Sequence, residues 1–178
     1  MKYLVLIGAL VISTAVSAQT VQSYAGMQSR PIKALSEQQI ADLREGRGMG
    51  LAMAAELNGY PGPVHVLELG DRLNLSATQR DQAQKLFAAM KGEAVRLGEV
   101  LIAREQELDR QFADKVVTPA ILTAATQAIG ETQASLRAAH LKYHLSTLEL
   151  LTAEQVRQYS VLRGYADGAP AQHQHRRH

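Results

Sequence analysis

The sequence predicts an all-α protein built on an elongated antiparallel helical hairpin with short flanking helices, and three observations carry that expectation. Apolar residues recur at spacings of three and four over about 76–113 and again over about 119–150, the pattern of two amphipathic helices. Between them, Thr118 can cap and Pro119 fits a first helical position, so the second helix starts soon after the first ends. The 178-residue chain has no Trp, no Cys and two Phe, so Leu, Ala, Ile, Val and Met must build its core. Such a composition suits helix packed on helix better than a β-sandwich.

From the N-terminus, residues 1–18 have the three-part grammar of a secretory signal: Lys2, an apolar run from Tyr3 to Val16, and the small residues Ser17 and Ala18 before the expected cleavage. That run falls short of the roughly 20 apolar residues a membrane span needs, so an exported, periplasmic chain is expected. Residues 19–34 are polar at the start and lack periodicity, which reads as a flexible arm. Within 35–62, Ser36 to Glu45 is a short amphipathic helix, and "GMGLAMAAELN" resumes one after Gly46-Arg47-Gly48. The turn-rich "NGYPGP" stops it.

The domain of 63–165 opens with Pro63 at the start of "PVHVLELGDRL", which runs to about Asn74. In the first long helix, Ala83, Leu86, Met90, Ala94, Leu97, Leu101, Leu108 and Phe112 form the stripe, with Arg104 in its one charged slot. Leu122, Ala125, Ile129, Thr132, Leu136, Ala139 and Tyr143 form that of the second. At about 1.5 Å per residue each helix spans roughly 50 Å. That is too long for a compact globule of this size, so a second chain is expected to complete an intertwined dimer. Residues 166–178, His-rich and following "ADGAP", are expected to be a disordered tail.

Charge and motifs exclude several functions. Once Lys2 leaves with the leader, 18 Lys and Arg face 17 Asp and Glu, without the basic stripe that nucleic acid requires. Lacking cysteine, the chain can form no disulfide and no thiolate metal site. It carries no Gly-rich phosphate loop, no Gly-x-Ser-x-Gly elbow and no His-Glu-x-x-His helix. Glu99, Glu105, Glu107 and Asp109 alternate with Arg104 and Arg110 as on a salt-bridged exposed face. No enzymatic activity is expected.

One pattern recurs. "ALSEQQI", "LNLSATQRD" and "LLTAEQV" each place Ser or Thr three residues before Gln. With Ser36, Ser76 and Thr152 at the N-cap, Gln39, Gln79 and Gln155 fall at the third helical position and can return a hydrogen bond to the cap, which is a capping box. Each cap contributes about 1 kcal/mol. Leu35, Leu75 and Leu151 precede the caps, where an apolar residue can staple the start of the helix.

"LSATQ" (Leu75, Ser76, Gln79) and "LTAEQ" (Leu151, Thr152, Gln155), bracketing a long hairpin in an exported chain, resemble the paired Leu-Thr-x-x-Gln motifs of the Spy/CpxP family of periplasmic proteins, which includes ZraP-like and heavy-metal-sensor branches. Ser76 stands where the family's first motif has Thr and keeps the cap; residues 24–63 go beyond the family's common core. The resemblance implies a bowed helical dimer that holds unfolded or partly folded envelope proteins on its concave face without ATP. On this chain Met90, Leu97, Leu101 and Phe112, with Arg96 and Arg104, would form the client surface. The same apolar set also suits a hairpin seam. Two alternatives accompany this reading: a metal-binding or metal-sensing protein, and a helical adaptor that represses a membrane sensor kinase or a sigma-regulatory partner.

The metal alternative rests on His140 and His144, four apart on one helical face, with His65 or Glu68 as a third ligand for Zn(II), Ni(II), Co(II) or Cu(II). Aligned with the metal-sensor branch, Tyr143 and Thr147 stand where that branch has His and Met, so the pair is not a copy of its site. His173, His175 and His178 make the tail metal-affine by composition.

Overall fold

The computed structural model of the chain describes residues 24 and 26–166. Within them a short 3-10 turn, Met27–Ser29, precedes six helices: α1 Glu37–Glu45, α2 Met53–Glu56, α3 Pro63–Glu68, α4 Ala77–Ala113, α5 Pro119–Leu150 and α6 Ala153–Leu162. The described residues hold no strand. The expected leader, most of the expected arm and residues 167–178 of the expected His-rich tail lie outside the described residues.

The long helices, 37 and 32 residues, pack along one another as the antiparallel hairpin. All three capping boxes form: Ser36, Ser76 and Thr152 each accept from the backbone N–H of the Gln three residues on, whose side-chain oxygen accepts from the cap's own N–H. Thr118 caps α5 and Pro119 opens it. "GMGLAMAAELN" forms a shorter helix than its apolar content suggests, Met53–Glu56 only, because Met49, at φ 43°, and Gly50, at φ 80°, are left-handed and hold the preceding residues in turns. In the same way α3 stops at Glu68, and turns carry the chain to Asn74.

The segment before the hairpin is part of the core. Ile32, Leu35 and Leu43 join Ala94, Leu101, Ile102, Ile129 and Leu136 in one apolar cluster. At 4% exposure, Ile32 ties down the end of the stretch expected to be a flexible arm. A second cluster, Val66, Leu73, Ala83 and Tyr159, closes the other end, with Leu75, Leu151 and Leu162 packed against it. The stripes are buried where these layers cover them: Met90, Ala94 and Leu101 on α4, and Ile129, Thr132, Leu136 and Ala139 on α5. Arg104 fits its apolar slot because its guanidinium spans the hairpin and donates to the Ala128 carbonyl and the Thr132 hydroxyl. From Ala103 to Ala128 no residue is buried.

The covering layer comes very close at Gly98, where a Cβ would lie 2.9 Å from the Leu43 carbonyl carbon and closer still to its oxygen. Gly92, earlier on the same helix, has open space at that position. The same substitution therefore has opposite signs at the two sites. Gly98→Ala should force α1 off α4 and lower stability by about 1–3 kcal/mol. Gly92→Ala should raise it by about 0.5–1 kcal/mol through helix propensity. Urea unfolding followed by circular dichroism measures both.

Candidate functional site

The two Leu-x-x-x-Gln motifs meet in space. Gln79 Nε2 donates to Gln155 Oε1 at 2.8 Å, and Gln155 Nε2 donates back to Gln79 Oε1 at 3.0 Å. Each amide nitrogen also donates to a backbone carbonyl, Gln79 to Leu150 at 3.0 Å and Gln155 to Leu73 at 3.2 Å. Each oxygen meanwhile accepts from its own cap, at 3.1 Å for Ser76 and 2.9 Å for Thr152. Spacing alone assigns these residues to helix starts; the structure adds that the two starts are bolted together, which fixes α6 beside α3 and α4.

From that base α6 reaches a buried polar group. The Tyr159 hydroxyl donates to Glu56 Oε1, and Arg163 Nε approaches the same oxygen at 3.4 Å. Burial, then the Glu56 hydrogen bond, raises the Tyr159 pKa far above its ordinary value and keeps the phenol protonated as the donor. His144 is next in line. Its Nδ1 lies 2.7 Å from the Tyr60 carbonyl and 3.7 Å from Glu56 Oε2. A carbonyl only accepts, so Nδ1 carries the hydrogen and, in the neutral ring, Nε2 keeps its lone pair. One turn earlier His140 is 2% exposed, and its Nε2 has no hydrogen-bond partner among the described residues. Glu56 Oε2 is likewise buried without a partner among them.

Glu56, His140, His144 and Arg163 line a cavity of about 630 Å³ between the α1–α3 segment and the hairpin. Its wall includes Met49, Met53, Met90, Phe87 and His65. Two glycines make room: a Cβ on Gly62 would lie 3.0 Å from His144 Nε2, and one on Gly48 would touch His140 Nδ1 at 3.8 Å. A concave, mainly apolar space of this size with a few convergent polar groups has the character of a ligand site.

The residues expected from sequence divide between the cavity and the surface. His140 and His144 come together as their spacing implies. His65 lines the same cavity, but its Nδ1 pairs at 2.8 Å with the exposed Glu68. Among the described residues no three His, Asp or Glu side chains are grouped to hold one ion. His173, His175 and His178 lie outside the described residues. Of the expected client surface, Met90 and Leu101 are buried inside this chain and Leu97 is half-buried, which corrects their assignment to an open face. The reason is that α1–α3 cover this part of α4. Arg104 is held by α5, while Arg96 and Phe112 are exposed. Glu56, Tyr159, Arg163 and Gly62 escape a reading of the sequence, since no local motif links residues about a hundred positions apart.

Comparison with known proteins finds no matching family model, no similar curated protein and no similar solved structure. The resemblance to the Spy/CpxP family therefore rests on the motif residues. No helix among the described residues is long and apolar enough to cross a membrane.

Burial, then the neighbouring His144, lowers the His140 pKa below the ordinary value of 6.5. The folded state thus favours neutral His140, and its contribution is complete above the unfolded value. It is lost as pH falls from about 6.5 toward the lower folded value. Urea midpoints measured from pH 7.5 to 5 should decline over that interval, and His140→Phe should flatten the decline.

Proposed function

We propose that this chain is a periplasmic, ATP-independent chaperone of the Spy/CpxP kind, which binds unfolded or partly folded envelope proteins as a homodimer. The observation that carries this reading is the end of the hairpin that the described residues leave uncovered. No residue from Ala103 to Ala128 is buried; Phe112 and Val116 are each 53% exposed there, and Leu122 is exposed as well. Val100, Ala103, Ile121, Ala124 and Ala128 line an apolar groove of about 510 Å³ between the two helices, bordered by Arg104 and Glu107. Amphipathic area of this kind, rimmed by charge, suits extended apolar segments of many sequences. The client surface is accordingly shifted along the hairpin from the one expected: Phe112 stays in it, while Met90 and Leu101 leave it.

A second reading, a metal-binding or metal-sensing protein, is favoured by one observation at the other end of the molecule: the buried His140–His144 pair facing the cavity.

The purified chain should suppress aggregation of a reduced or acid-denatured client at stoichiometric ratios, with ATP making no difference. The triple variant F112S/V116S/L122S should lose that suppression while its thermal unfolding stays unchanged, because all three side chains are exposed. Full client aggregation with the wild type would overturn the chaperone reading. A single dominant partner pulled from envelope extract would favour an adaptor.

A further inference from the structure

Three of the chain's five methionines and three of its six histidines line one cavity. Met49 lies between α1 and α2, Met53 opens α2, and Met90 reaches in from α4. A thioether on an unbranched, three-torsion chain adapts its position readily. Gly48 and Gly50 keep the backbone beside these residues narrow, and a Cβ on Gly50 would lie 3.3 Å from Met53 Sδ. Met49 itself is held at φ 43°, an uncommon conformation for a residue with a side chain.

The imidazoles are prepared as ligands. His144 donates Nδ1–H to a backbone carbonyl, the arrangement that fixes the tautomer and orients a metal-binding ring. A buried ring nitrogen on His140 and the second Glu56 oxygen both lack partners among the described residues, and such orphaned groups call for a ligand or ordered solvent. The donor set then selects the ion. Among the described residues no three His, Asp or Glu side chains are grouped to hold one ion, so a borderline divalent ion lacks a full set of nitrogen and oxygen ligands although His65 and Glu56 share the lining; the thioether sulfurs in the same wall are donors that select soft ions.

We propose that this cavity is a Cu(I) site in which His140 and His144 supply nitrogen and Met49 and Met53 supply thioether sulfur, with Met90 in the same wall. The proposal rests on the metal reading and names its ion class. Glu56, held by Tyr159 and Arg163, positions His144 from behind. The site is remote from the uncovered hairpin end, so client binding does not require it.

The test uses the full mature chain carrying H173A, H175A and H178A, so that the tail does not compete. It is titrated anaerobically with Cu(I) against a chromophoric chelator, with Ag(I) as a redox-inert surrogate and Zn(II) in parallel. One equivalent of Cu(I) and of Ag(I) is expected, in preference to Zn(II). M49L/M53L should weaken Cu(I) binding by roughly tenfold or more without altering thermal unfolding, because both side chains are exposed, whereas M27L should change nothing. Undiminished Cu(I) affinity in M49L/M53L/M90L would overturn the proposal. Tight Zn(II) binding without Cu(I) binding would overturn the soft-ion assignment and leave the metal reading standing. Binding of neither would overturn both.

Discussion

The reciprocal hydrogen bonds between Gln79 and Gln155 are the interaction on which the rest of the architecture depends. Each amide uses its oxygen twice and its nitrogen twice, so neither side chain can be replaced without leaving a half-buried polar group unmatched. The pair joins the start of α4 to the start of α6, fixing the chain's return path at the base of the hairpin. A hairpin of two long helices is otherwise free to slide by a turn, since an apolar stripe offers similar contacts at each step of three or four residues. The two capping boxes remove that freedom, because a cap exists only at one residue.

The base of the hairpin sets the position of everything packed on it. With α6 in place, Tyr159 is buried beside Val66 and Leu73, and its hydroxyl meets Glu56 on the short helix α2. Glu56 then stands behind His144, and the α1–α3 segment closes over the hairpin to leave the cavity between them. Buried packing of the covering layer ends near Ile102 on α4 and Ile129 on α5, Lys33 reaches on to pair with Asp109, and beyond that the described residues leave the hairpin uncovered. The molecule therefore has two unlike ends, a covered one with buried imidazoles and an uncovered one with exposed apolar side chains. The length mismatch between the short layer and the long hairpin is the physical origin of both.

Much of this is legible in local pattern. The all-helical class, the bounds of α4 and α5 to within a residue or two, and all three capping boxes come from 3.6-residue periodicity and from side-chain chemistry acting over three or four positions. The turn at "NGYPGP" comes from its Gly and Pro content. The face of α5 is legible only in part. Periodicity makes Tyr143 its last apolar position, whereas His140, His144 and Thr147 are buried beside it. That helix is covered on two sides, by α4 and by the segment before the hairpin, and a helix covered on two sides has no single stripe to read.

The sequence by itself determined where helices start and stop, which residues cap them, and that two imidazoles share a helical face, because these depend on neighbours within one or two turns. Only the tertiary structure decided that Gln79 and Gln155 bond to one another, that Met90 and Leu101 are core, that Glu56 and Met49 share a cavity with the histidines, and that Tyr159 holds Glu56. Those relations join residues from about 50 to 100 positions apart. They depend on which elements pack together, which no periodicity along the chain encodes.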